Sequence, residues 1–126
     1  MKATQPKVQS VAIVDDDEDV RRAVHAVLKS AGLLPQSFAS AEEFLGSGQR
    51  SETGCLITDI EMPGMNGLEL QARLAEDGCR IPIIFITAYG DAGTRTRAMN
   101  GGALDFLEKP FDDDILLERV RTALGT

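Results

Sequence analysis

Val11-Ala12-Ile13-Val14 is an unbroken apolar run that stops abruptly at Asp15-Asp16-Asp17. A strand with one wet face alternates polar and apolar residues, whereas a strand covered on both faces is apolar throughout. Two later segments repeat this form: Cys55-Leu56-Ile57 running into Thr58-Asp59, and Ile83 to Ile86 running into Thr87. Helical patterns separate them. Val20, Ala23, Val24, Val27, Leu28 and Ala31 recur at helical spacing until Gly32. Leu33 to Phe38 is a more broken strand, and Ser40-x-x-Glu43 is a capping-box signature opening a short helix that ends at Gly46 to Gly48. A Pro-Gly-Met-Asn-Gly turn leads to a helix carrying Leu68, Leu70, Ala72, Leu74 and Ala75. Gly90 to Asn100 is a helix poor in helix formers, Leu104 to Leu107 a last strand, and Asp112 to Asp114 cap a final helix with Leu116, Val120, Ala123 and Leu124 inward.

Five strands thus alternate with five helices. Such alternation demands right-handed crossovers and a parallel sheet with helices on both faces. At this size the favoured arrangement is a flavodoxin-like, doubly wound (βα)5 fold with strand order 2-1-3-4-5. The 126 residues suit one domain, predicted over 10–124 after a polar lead-in at 1–9. Hydrophobic residues make up 43% of the chain, enough for a core without disulfides. Cys55 and Cys79 lack a C-x-x-C or a neighbouring histidine and read as reduced thiols. His25 is the single histidine, which excludes a multi-histidine metal centre; it reads as a solvated flank of its helix. A net charge of −7 argues against direct nucleic-acid contact by this domain. With no membrane-length apolar run and no signal-peptide core, the expected location is the cytoplasm.

In an open parallel sheet the chemistry gathers at the carboxyl ends of the strands. Those positions hold Asp15 and Asp16 after the first strand, Asp59 after the third, Thr87 after the fourth and Lys109 after the fifth. The first and third strands are neighbours in the expected order, so three carboxylates share one crevice. Their repulsion is relieved by a hard divalent cation, and oxygen ligands suit Mg²⁺ best, with Mn²⁺ as the alternative. Phosphoryl transfer needs a nucleophile, a cation and donors for the phosphoryl oxygens. Asp59 can be the nucleophile, Asp15 and Asp16 the metal site, Thr87 a hydroxyl donor and Lys109 a cationic clamp. An ionised carboxylate needs no general base. Taken alone, Asp15-Asp16-Asp17 also reads as a helix cap.

Val14-Asp15-Asp16-Asp17, Thr58-Asp59-Ile60-Glu61-Met62-Pro63-Gly64-Met65-Asn66-Gly67, Ile86-Thr87-Ala88 and Asp105-Phe106-Leu107-Glu108-Lys109-Pro110-Phe111 resemble the receiver domain of two-component response regulators. The wording is similar to the FixJ-type branch. The resemblance implies that Asp59 accepts phosphate from a sensor histidine kinase. It implies metal ligation by Asp16, Asp59 and the main-chain carbonyl of Glu61, with Asp15 orienting metal water. It implies that Thr87 and Phe106 move together on phosphorylation, and that Lys109 pairs first with the aspartate and then with its phosphate. A cis Lys109–Pro110 bond is implied as well. Activity would be confined to self-catalysed phosphorylation and autodephosphorylation.

The resemblance also implies a homodimer surface on the fourth helix, fifth strand and fifth helix. Arg95 and Arg97 would there face Asp105, Asp113 and Glu118 of a second copy, the alternative being a solvated charged face. Two outputs fit: transcription through a DNA-binding domain outside this chain, or a stand-alone single-domain regulator. A Mg²⁺-dependent aspartyl-phosphate phosphatase is the reading from another class. Against it, Asp59-Ile60-Glu61-Met62-Pro63 lacks the D-x-D-x-T/V loop of those enzymes.

Overall fold

The computed structural model describes residues 10–126, so the lead-in assigned to residues 1–9 lies outside the described residues. Strands β1 (Ser10–Val14), β2 (Pro35–Phe38), β3 (Thr53–Asp59), β4 (Ile83–Thr87) and β5 (Asp105–Glu108) alternate with helices α1 (Glu18–Ser30), α2 (Ala41–Gly46), α3 (Gly67–Glu76), α4 (Ala92–Asn100) and α5 (Asp113–Leu124). All pairings are parallel, in the order β2-β1-β3-β4-β5. This is the doubly wound fold expected from the apolar runs. The three interior strands are buried along their whole length, while β2 and β5 at the edges are not.

Alternate residues of each strand feed different cores. Val11 and Ile13, Cys55 and Ile57, and Ile84 and Ile86 pack with Val24 and Leu28 of α1 and Leu116 and Val120 of α5. Ala12, Val14, Leu56 and Phe85 face the other way, onto Phe44 of α2, Leu70 and Leu74 of α3, Ala98 of α4, and Phe106. Burying one such aliphatic side chain contributes roughly 1.5–3 kcal/mol, so these two layers dominate stability.

Local signals set most boundaries. Asp17 caps α1, accepting from the Asp19 and Val20 N–H groups. The cap reading of the aspartate triplet therefore holds for its third member, leaving the first two free for the crevice. At α2 the capping box is only half formed. Ser40 accepts from the Glu43 N–H, but the Glu43 carboxylate reaches Ala39 N–H instead. A complete box occurs where it was not predicted, at Asn66 and Glu69 opening α3. A 3₁₀ turn at Arg50–Glu52 also went unpredicted. The second strand starts at Pro35 rather than Leu33, and the last runs Asp105–Glu108 rather than Leu104–Leu107. In α3, Ala72 and Ala75 are exposed and Gln71 is buried in their stead.

Cys55 lies in the α1–α5 core and Cys79 packs against the opposite one; both are free thiols, as expected. Burial pushes the Cys55 thiol up to about 12. Among the described residues no helix is long and apolar enough to cross a membrane.

Candidate phosphoacceptor site

The carboxyl ends of β1, β3, β4 and β5 meet at one crevice. Asp15 follows β1 directly and is fully buried; Asp59 closes β3 and is 7% exposed. Carboxylate oxygens of Asp15, Asp16 and Asp59 all lie within 4.8 Å of one another. Lys109, just past β5, places Nζ 3.1 Å from Asp15 Oδ2 and 3.3 Å from Asp59 Oδ2. The four residues are brought together as predicted, and the Lys109–Pro110 bond is cis.

Backbone holds the acids in place. Asp15 Oδ1 accepts from the Asp17 N–H at 2.9 Å, and Arg21 donates to the Asp15 carbonyl at 2.7 Å. Asp59 Oδ1 accepts from the Ile60 N–H at 2.7 Å and the Glu61 N–H at 3.3 Å. Gly67 is essential here. Its N–H donates to the Ile60 carbonyl at 2.8 Å, and a Cβ at this position would collide with the Asp59 carbonyl. Glu42 on α2 accepts from the Met65 N–H at 2.9 Å and so fixes the far side of the loop carrying Glu61. Gly64, at φ 76°, supplies the left-handed turn beside that carboxylate.

Burial raises the Asp59 carboxyl above its ordinary range, the charge of Asp15 adds to this, and Lys109 opposes both without cancelling them. For Lys109 burial works downward, but the hydrogen bond to Asp15 and the charges of Asp15 and Asp59 prevail and raise it. Three carboxylates against one ammonium leave two negative charges uncompensated at the cluster. An all-oxygen donor set with that deficit fits a hard divalent cation.

Thr87 ends β4, fully buried, with its Oγ1 accepting from the Tyr89 N–H at 3.1 Å. Its carbonyl accepts from the Lys109 N–H at 2.7 Å, tying the hydroxyl-bearing and ammonium-bearing strand ends together. Phe106 sits in β5, 3% exposed. Arg95 stays exposed but lays its guanidinium over the Phe106 ring, 5.8 Å from the centroid. Arg97 borders a groove with Ile60, Glu61 and Pro63, and within the chain Asp105 is engaged by Arg119 at 2.6 Å. His25, on the flank of α1, is half-buried, and its Nδ1 lies 3.0 Å from Ser37 Oγ on the adjacent edge strand. Arg21 and Glu42 were missed as site residues, and Gly67 was read only as part of the turn that presents backbone to the site. Only Gly67 carried a local signal, its place in the turn; the other two act through contacts that their neighbours in sequence do not reveal.

Comparison with known proteins agrees with this geometry. Residues 11–121 match the response regulator receiver domain family. The chain is 42% identical over 120 residues to the transcriptional regulatory protein FixJ of Azorhizobium caulinodans, covering 95% of this chain and 57% of that protein. It is 46% identical over 113 residues to nodulation protein W of Bradyrhizobium diazoefficiens, covering 90% and 50%. It therefore spans about half the length of these curated relatives. The crystal structure of FixJ-N superposes with a TM-score of 0.85 at 39% identity, covering 93% of this chain and 94% of that one. The response regulator StyR gives 0.86 at 43% identity, covering 93% and 59%. A crevice of acids facing one lysine, on this fold and in this family, makes the chain a response regulator receiver domain.

Proposed function

We propose that the unit over residues 10–124 takes a phosphoryl group on Asp59 from the phosphohistidine of a sensor histidine kinase in the cytoplasm. The observation that carries this reading is the convergence of Asp15, Asp16 and Asp59 on Lys109 at the strand ends. A carboxylate oxygen of Asp59 attacks phosphorus, the P–N bond of phosphohistidine breaks, and the departing imidazole keeps its electron pair and takes a proton from solvent. Asp15, Asp16, Asp59 and the Glu61 carbonyl would hold Mg²⁺ or Mn²⁺, which when bound supplies positive charge to the phosphoryl oxygens.

Lys109 then exchanges its hold on Asp59 for the new phosphoryl oxygens, where its charge opposes theirs. The Thr87 hydroxyl accepts from Tyr89 and keeps its own hydrogen to donate. Drawn toward the phosphoryl group, Thr87 vacates space into which Phe106 repacks. The surface of α4, β5 and α5 changes as a result, a local charge event biasing a two-state element. That face then joins a second copy, with Asp105 released from Arg119. The output is transcription through a DNA-binding domain beyond this chain, supported by relatives that are named transcriptional regulators and are about twice as long.

Incubation with acetyl phosphate and Mg²⁺ followed by intact mass measurement tests the assignment. A gain of about 80 Da is expected, abolished by Asp59→Asn and prevented by EDTA. Absence of labelling in the parent chain, or undiminished labelling of Asp59→Asn, would overturn it.

A further inference from the structure

Helix α4 is attached to the body in an unusual way. Only Ala98 of its nine residues is buried, and its sequence, Ala92-Gly93-Thr94-Arg95-Thr96-Arg97-Ala98-Met99-Asn100, has low intrinsic helix preference. A single small apolar residue cannot define the position of a helix. Two polar side chains make up the difference, one near each end.

At the C-terminal end, the buried Gln71 of α3 donates its Nε2 hydrogen to the Ala98 carbonyl at 2.9 Å. Gly101, just past the helix, leaves the room that the Gln71 amide fills; a Cβ there would strike it. Toward the N-terminal end, Arg95 donates from Nη1 to the Phe106 carbonyl at 3.2 Å and spreads its guanidinium over the Phe106 ring. The first anchor is buried and neutral. The second is a charged side chain with little packing around it, lying against the ring assigned above as the mobile one.

We propose that Arg95 is the positioning residue that couples Phe106 to helix α4: a releasable clasp, with the Gln71–Ala98 contact acting as the fixed pivot. When the ring and the β5 backbone shift, the guanidinium must follow or let go, so that the N-terminal part of α4 moves while its last turn stays on α3. The coupling to phosphorylation rests on the phosphoacceptor reading. The clasp itself stands on the contacts alone.

Amide hydrogen exchange of peptides spanning 92–100, read by mass spectrometry before and after treatment with acetyl phosphate and Mg²⁺, separates the two. Arg95 is exposed, so its variants are expected to fold. In untreated Arg95→Gln, exchange across α4 should rise about two- to fivefold, as loss of a weak cation–π contact and one hydrogen bond allows. Arg95→Lys keeps a cation over the ring but loses the planar fork, and should fall between. After labelling, the change seen in α4 of the parent should shrink by more than half in Arg95→Gln, with Asp59 still gaining its full mass. Unchanged exchange in the untreated Gln variant would overturn the clasp, and an intact labelling response would overturn the coupling. If the parent chain fails to label, the phosphoacceptor reading falls, while the untreated comparison still decides the clasp.

Discussion

Among single side chains, Asp59 is held where its charge is disfavoured. Burial and the neighbouring Asp15 raise its carboxyl, and Lys109 compensates only in part. The unfolded chain therefore releases this proton at lower pH than the folded one. Stability contributed at Asp59 is full below the ordinary carboxylate range and is lost as pH rises through the raised folded value. Asp59→Asn removes that loss. Urea titrations should show the variant gaining over its parent as pH climbs through this window and keeping the gain at pH 7. The gain should be on the order of 1 kcal/mol, because repulsion between like charges within 4.8 Å is partly offset by Lys109. Equal midpoints at pH 7 would sink the claim. Asp59, Asp15 and Lys109 were readable in the sequence because each ends a run whose period had already placed it. The contact of Arg95 with Phe106 was not legible, because nothing local distinguishes a freely solvated arginine from an exposed one laid over a ring.

At the level of elements, the loop between β3 and α3 shows how a turn serves the chemistry. Asn66 and Glu69 cap α3 reciprocally, and Gly67 lets the first helical turn lie against the Asp59 backbone. These neighbouring residues should separate in their effects. Asn66→Ala removes the cap and should cost about 1 kcal/mol with labelling of Asp59 retained. Gly67→Ala forces a Cβ into the Asp59 carbonyl and should cost about 1–3 kcal/mol while also displacing the nucleophile. Thermal melts paired with acetyl phosphate labelling distinguish them; labelling of Gly67→Ala at the parent rate would refute the positional role. The types of the strands and α-helices were legible, since apolar runs and helical spacing differ in period, whereas the 3₁₀ turn at Arg50–Glu52 has too few residues to show one. Element ends were less so: Pro35 and Glu108 bound edge strands whose extent depends on pairing with a neighbour, which spacing does not encode.

For the whole molecule, the uncompensated charge at the crevice predicts a stability that depends on divalent cation. Mg²⁺ at a hundredfold excess over its Kd should stabilise the folded chain by about 2.7 kcal/mol, reversed by EDTA, and by less in Asp59→Asn. A denaturation midpoint indifferent to Mg²⁺ would remove the metal site from the reading. The global topology was legible because few arrangements satisfy alternating strands with buried centres, whereas the two anchors of α4 were not, being contacts between segments 27 and 11 residues apart. The division of the interior into two layers carries one more implication. Phe106, α3 and α4 border one layer, while α1 and α5 enclose the other, and the sheet backbone runs between them. The sheet is thus a bulkhead: a ring that swings in one compartment need not disturb the packing in the other. A partner gripping only the exposed face of α1 would recognise which protein this is, and one gripping α4 would recognise what has happened to it.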